Sequence, residues 1–304
     1  MRTRPRSGLR ATPLGALAVA VPVVGWSFAN TIVKIVDVPA LSFAFWRLLM
    51  GTAVMLVVLA VSRRRMTWAM VRASAPGGVL FGFNLILFFS AIKETSVADV
   101  LVIAALQPAL ILLVAGRMFG ERVTRREVGW VLVSVAGVAG FVVASSGTPV
   151  WSLWGDLLAL GSVIVWTAYF VVSKRARKQV QAVEYMTTVT LVATLVVTPI
   201  TLVSGTGVGG LKTADWLWLA LFVASAQGGH LLLAWAHRQV DVTVSSLIVL
   251  AETPISAVAA LVVLSEPLTA LQVAAGLVAV AAVGVVVRGA TTSASAEAAD
   301  PGPP

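Results

Sequence analysis

The chain has 304 residues, of which 59% are hydrophobic and 12% charged, with a mean hydropathy of +0.95. A soluble domain carries roughly twice that charged fraction, so a water-soluble fold is excluded for want of polar surface to cover the apolar mass. The net charge of +9 points away from nucleic acid once the cations are located, because they sit in short loops between apolar runs.

A membrane span takes roughly 17 to 25 mostly apolar residues, and ten such runs follow one another. Residues 1–12 form a basic N-terminal segment. Residues 13–145 hold Leu14–Val33, Pro39–Val61, Pro76–Ile92, Val97–Gly116 and Val128–Ser145. The Arg-rich start before the first run resembles a signal peptide. The run is too long for one, carries Trp26 and Asn30, and has a counterpart later in the chain, so it reads as a span. An uncharged loop, Ser145–Trp154, leads into residues 154–288. These hold Gly155–Ser173, Tyr185–Ser204, Trp216–Ala236, Val242–Leu264 and Leu268–Val287. Residues 289–304 are small, polar and proline-ended, and are expected to be a disordered tail.

Lys and Arg set the orientation. With the N-terminus inside, inside segments hold 18 of them: Arg2, Arg4, Arg6, Arg10, Arg63, Arg64, Arg65, Arg72, Arg117, Arg122, Arg125, Arg126, Lys174, Arg175, Arg177, Lys178, Arg238 and Arg288. Only Lys34, Lys93 and Lys212 fall outside, and Arg47 lies within a span. The bias predicts a multi-pass protein of the cytoplasmic membrane with both termini in the cytoplasm.

Five spans per half is an odd number, so a duplicated unit would lie in the membrane in opposite orientations. Traces of duplication are present. At an offset of 140, Gly15 falls on Gly155, Trp26-Ser27 on Trp166-Thr167 and Lys34 on Lys174. At 145, Ala91 falls on Ala236, Glu121 on Glu266 and Thr124 on Thr269. The expected fold is all-α integral membrane, about ten transmembrane helices in two inverted five-helix repeats. Inverted repeats are a mark of secondary transporters, whose sites lie near the midplane where the repeats meet.

The pairs Trp26-Ser27 and Trp166-Thr167, Phe45-Trp46-Arg47, the stretch from Ala91 through Pro108 to Gly120-Glu121, and its echo from Ala236 through Glu252 to Ser265-Glu266-Pro267 form a familiar order. Over residues 12–288 the chain resembles the drug/metabolite transporter superfamily, in particular its EamA-type members with two five-helix domains. It departs from that pattern at Glu252-Thr253-Pro254, where the family usually reads Glu-Pro, and at Ser265, which replaces a usual Gly. The resemblance implies secondary transport of small organic solutes, often export, without ATP and without a cofactor.

An ionisable residue inside a span is costly unless it faces a cavity or a partner. Arg47 is either a structural cation bonded to neighbouring carbonyls or a contact for an anionic substrate group, which its fork suits. Glu252 is the deepest carboxylate. It is the candidate for proton or cation coupling, against a hydrogen-bonded strut beside Pro254. His230 is a packed imidazole or a proton relay. Asn84, Gln107 and Gln227 fall near the centres of their spans, with Trp26, Trp166 and Tyr169 at similar depth. Together they read as a substrate-binding lining, although polar groups also hold helices together. Gly137, Gly140, Gly276 and Gly284 mark close helix packing, with a homodimer surface as one reading. The absence of cysteine excludes disulfides and thiolate metal sites, and His230 and His237, seven apart, form no zinc pattern.

The leading expectation is therefore a secondary active transporter. It would export a small metabolite, amino acid or drug-like solute by alternating access. The alternative is a membrane enzyme or lipid scramblase acting on a lipid-linked substrate. An enzyme would need a nucleophile, metal ligands or paired carboxylates, and no HExxH, GxSxG or carboxylate cluster is present.

Overall fold

Two helix starts carry the repeat down to single hydrogen bonds. Thr12 accepts the Gly15 amide at 3.0 Å and opens α1 (Pro13–Ile35), with proline at its first position. Ser152 accepts the Gly155 amide at 3.2 Å and opens α5 (Leu153–Ala176). The two caps stand 140 residues apart, the offset of the tryptophan pairs.

The computed structural model describes residues 10–94, 124–145, 152–256 and 270–299, with single positions between 100 and 118 and residue 262. The described residues are helical, with one isolated bridge between Ala11 and Val240. After α1 come α2 (Ala40–Val61), α3 (Trp68–Glu94) and α4 (Arg125–Ser145). The second half has α5, α6 (Ala182–Val203), α7 (Thr213–Ala236), α8 (Val242–Leu250) and α9 (Ala270–Ala299). Five of these, α2, α3, α5, α6 and α7, are long and apolar enough to cross a membrane, and shorter apolar stretches lie in α1, around α8 and in α9. The expected fourth span falls largely outside the described residues.

Helix contacts respect the repeat. α1 packs on α7 as α5 packs on α3, α2 on α7 as α6 on α3, and α2 on α3 as α6 on α7. The remaining pairs between counterpart helices, α2 with α6 and α4 with α9, map onto themselves when the halves are exchanged. Such a set of contacts is that of a two-fold arrangement.

The counterparts run in opposite directions. The start of α1 meets the segment after α7, because the Asp241 amide donates to the Arg10 carbonyl at 2.8 Å and the Thr12 amide to the Gln239 carbonyl at 3.3 Å. The end of α5 reaches the same segment through Lys174, 3.1 Å from Asp241. Likewise Arg64, past the end of α2, pairs with Glu184 at the start of α6 at 3.2 Å. Arg10, Lys174 and Arg64 belong to the Arg-rich set and gather at one end of the bundle. At the other end the Ser42 hydroxyl and the Trp46 indole donate to the carbonyls of Gly207 and Val208, at 2.7 and 2.8 Å.

Glycines on α3 let α6 approach. A Cβ on Gly78 would stand 2.9 Å from the Val189 carbonyl and 2.6 Å from the Val192 side chain, so only glycine fits. On α6 itself, Thr187, Thr188, Thr190, Thr194, Thr198 and Thr201 each bond back to the carbonyl four residues earlier. Their hydroxyls are thus satisfied inside an apolar layer.

Two elements differ from the expected spans. The ninth span is expected over Val242–Leu264 with a kink at Pro254. The helix instead ends at Leu250, turns at Ala251 and resumes over residues 252–256. Pro254 has no amide to offer the Leu250 carbonyl, and its ring crowds that oxygen, so the ladder breaks there. The last helix continues to Ala299, through residues 289–299 where a disordered tail was expected. That stretch is alanine-rich, and alanine extends a helix already nucleated.

Candidate functional site

Stripes of residues from both halves turn toward one another and enclose a cavity of about 150 Å³. α3 supplies Phe81, Asn84, Leu85, Phe88 and Phe89, at the i, i+3, i+4, i+7 spacing of one helix face. α5 supplies Ala159, Ser162, Val163 and Trp166, and α7 supplies Phe222, Ala226 and His230. α1 adds Trp26 and Ala29, α2 adds Arg47, and the fourth segment adds Val100, Ala104 and Gln107. The break after α8 contributes Val249, Leu250, Glu252 and Thr253. Non-helical backbone at this depth is tolerated where it lines a cavity.

Seven of the nine residues singled out in the sequence line this cavity: Trp26, Arg47, Asn84, Gln107, Trp166, His230 and Glu252. Four of them form two pseudo-symmetric pairs. Trp26 and Trp166 are one such pair, and their neighbours Ser27 and Thr167 both bond to the carbonyl four residues back, at 2.7 Å. Gln107 and Glu252 are another, standing 145 residues apart in the register that matches Ala91 to Ala236. One repeat thus places an amide where the other places a carboxylate. Arg47, Asn84 and His230 have no polar counterpart at that offset.

The Arg47 guanidinium is held by rings. Its carbon lies 4.9 Å from the centroid of Phe81 and 5.8 Å from that of Phe222. The residue is 3% exposed, and its Nη1 has no hydrogen-bond partner among the described residues. His230 sits between Trp26 at 4.7 Å and Phe81 at 4.8 Å, and its Nδ1 is likewise without a partner there. The Trp26 indole donates to the Ala226 carbonyl at 3.5 Å and lies on Gly229, where a Cβ would come within 2.7 Å of Nε1. The Asn84 amide donates to the Ser162 hydroxyl at 2.9 Å and to its carbonyl at 3.1 Å, so it ties α3 to α5 while facing the cavity. The Ser27 hydroxyl donates to the Glu252 carbonyl at 3.2 Å, which holds the broken segment against α1.

Two expected lining residues lie behind the wall. Tyr169 is three residues past Trp166, one turn nearer the Arg-rich end, and is fully buried. Trp166 stacks on its ring at 4.9 Å, and the two form the cavity floor. Gln227 is one residue off the Phe222, Ala226, His230 stripe, about 100° around the helix. It faces Gly51 of α2, where a Cβ would stand 2.7 Å from its Oε1. Conversely, the phenylalanine walls of α3 and α7 were not singled out, because phenylalanine on a membrane helix carries no sign of whether it meets lipid or a cavity.

Below the floor the bundle is closed by a polar layer. His237, just past α7, shares a 2.7 Å hydrogen bond between its Nδ1 and the Ser173 hydroxyl. Arg177, just past α5, donates to the carbonyls of Ala234 and Val180. Burial, with Lys174 and Arg177 nearby, lowers the His237 pKa to about 3. Burial, with Arg238 adding to it, lowers that of Arg177 to about 10. Among the described residues no group of three or more His, Cys, Asp and Glu could hold a metal ion.

The model of the EamA-like transporter family matches the chain twice, over residues 13–143 and 153–288. No curated protein matches it in sequence. A solved structure described only as "Crystal structure of protein" is similar over 92% of this chain and 98% of its own, with a TM-score of 0.77 and 20% identity. At that identity the likeness concerns the fold alone. With both repeats matched across most of its length, the chain belongs to the EamA-like transporter family of the drug/metabolite transporter superfamily, and is a multi-pass membrane protein.

Proposed function

We propose that the chain is a secondary active transporter that exports a small organic solute through the cavity between its repeats. The observation that carries this reading is the cavity itself, built from pseudo-symmetric pairs of both halves and sealed below by the Trp166–Tyr169 stack and the Ser173–His237 layer. A cavity of this volume holds a molecule of about the size of benzene. Ten spans cross the membrane with both termini in the cytoplasm. The lining lies in the middle of the helices and toward the end opposite the Arg-rich set, so the arrangement corresponds to a site shut from the cytoplasm. Rocking the two repeats about the cavity would open the other side. Glu252 is the coupling carboxylate, since it takes up a proton or cation at cavity depth on a segment freed from the helix ladder by Pro254.

The test compares metabolites released by cells expressing the intact chain with those released by cells expressing an Arg47→Ala, Glu252→Gln double variant at equal membrane abundance. One solute class accumulating outside only with the intact chain is the expected result. Identical release profiles would remove export through this cavity. A Glu252→Gln single variant that still responds to a proton gradient would remove the coupling role alone.

A further inference from the structure

The fold treats two buried arginines in opposite ways. Arg177, 1% exposed, is answered by the protein, with Nε donating to the Ala234 carbonyl at 2.6 Å and Nη1 to that of Val180. Arg47, 3% exposed, has rings on its faces, an Nη1 with no acceptor and no ion pair among the described residues. A buried charge left unanswered is among the costliest groups a fold can keep. Arg177 demonstrates that backbone carbonyls serve when the need is structural. Arg47 has none among the described residues, and its side chain is one of those that line the cavity.

Two more nitrogens without partners line the same cavity, Nε2 of Gln107 and Nδ1 of His230. The Gln107 amide nitrogen donates, and His230 Nδ1 donates or accepts according to its tautomer, so among the described residues the cavity holds a second unanswered donor beside Arg47. A planar guanidinium fork fits the two oxygens of a carboxylate, and rings over its faces keep water from competing. The rest of the wall, with Phe88, Phe89 and Trp166, offers apolar faces to the remainder of a ligand.

We propose that the solute is an organic anion whose carboxylate is taken by the Arg47 fork and whose ring-sized apolar body lies against Phe88, Phe89 and Trp166. This names the substrate class of the site proposed above. It rests on that reading for transport and stands apart from it for binding. Glu252 brings the opposite sign to the cavity from the second repeat, and a cationic solute would choose it. The sign of the preferred charge is therefore what the experiment reads.

The full chain in lipid nanodiscs is titrated calorimetrically with three ring-sized probes, benzoate, benzyl alcohol and benzylamine. The acid is expected to bind about tenfold to a hundredfold tighter than the alcohol, and the amine no tighter than the alcohol. This comparison uses the natural chain and needs no variant to fold. Arg47→Gln should bring the affinities of the acid and the alcohol together. Arg47→Lys should keep part of the preference, because the charge stays and the fork is lost. Tighter binding of the amine, equal binding of acid and alcohol, no saturable binding of the acid, or a preference that survives Arg47→Gln would each overturn the proposal. Flux of the radiolabelled acid in proteoliposomes separates this proposal from the transport reading. Acid bound through Arg47 but never carried leaves anion recognition standing and sinks transport. Acid neither bound nor carried, while cells expressing the chain release another solute, sinks anion recognition and leaves transport standing.

Discussion

His237 is neutral in the fold, with its pKa lowered to about 3 against an ordinary value of 6.5 by burial and the neighbouring Lys174 and Arg177. An unfolded chain protonates this imidazole near pH 6.5, whereas the folded one resists until about pH 3. Between those values the unfolded state binds the extra proton, so this residue makes stability fall as pH falls, by up to about 1.4 kcal/mol per unit. Above pH 7 it contributes no slope. His237→Gln can keep a hydrogen bond to Ser173 and has no proton to take up. Thermal unfolding in detergent between pH 7 and 4 should therefore show a shallower loss of stability for the variant, and parallel curves would remove His237 as the source. Arg47 and Arg177 make the related point that one residue type has two uses, told apart only by what surrounds the guanidinium.

Among the elements, α3 and α6 approach closely over three glycines. Gly77 faces the Tyr185 hydroxyl, Gly78 the Val189 carbonyl and Gly82 the backbone of Ala193. Backbone cannot give way as a flexible side chain can. Gly78→Val should overpack this contact and lower stability by about 1–3 kcal/mol, read as a lower melting temperature of the purified protein. Among the described residues, no heavy atom lies within 4 Å of a Cβ placed on Gly129 of α4. The same change there should leave the melting temperature nearly unmoved and serves as the control. The break after Leu250 belongs to this scale too. Pro254 is visible in the sequence, but a proline in a membrane helix can bend it or end it. The choice depends on what takes the freed carbonyl and which neighbour holds the next turn, here Ser27 of α1 through the Glu252 carbonyl.

For the whole molecule, sidedness is the property that the charges predict and the contacts organise. Arg10, Arg64, Lys174 and Arg238 all make contacts at one end of the bundle, with Asp241, Glu184 and Gln181 as partners. The chain has no cysteine, so single cysteines can report on each end without removing native ones. Ser62 and Gly209 are both exposed, at opposite ends. In intact cells a membrane-impermeant maleimide should label Gly209→Cys at once and Ser62→Cys only after permeabilisation. The reverse pattern would place the Arg-rich end outside, and the cavity would then be shut from the outside.

Membrane insertion, the gathering of cations at one end of the bundle and the repeat were legible in the sequence because a bilayer imposes one-dimensional rules. A span is a length of apolar residues, and a loop's side follows from its Lys and Arg. The register of the halves survives in a few polar and capping positions, Thr12 with Ser152 and Trp26 with Trp166. Depth was legible for the same reason, which is why Arg47, Asn84, Gln107, His230 and Glu252 stood out. Direction around each helix was not. Gln227 and Tyr169 lie outside the lining, one turned toward Gly51 and the other stacked beneath Trp166 in the floor. The phenylalanines that make the walls look like any lipid-facing residue until helices from both halves meet over them. Which side of a helix faces a cavity is set by packing against helices a hundred or more residues away, and only the tertiary structure holds that information.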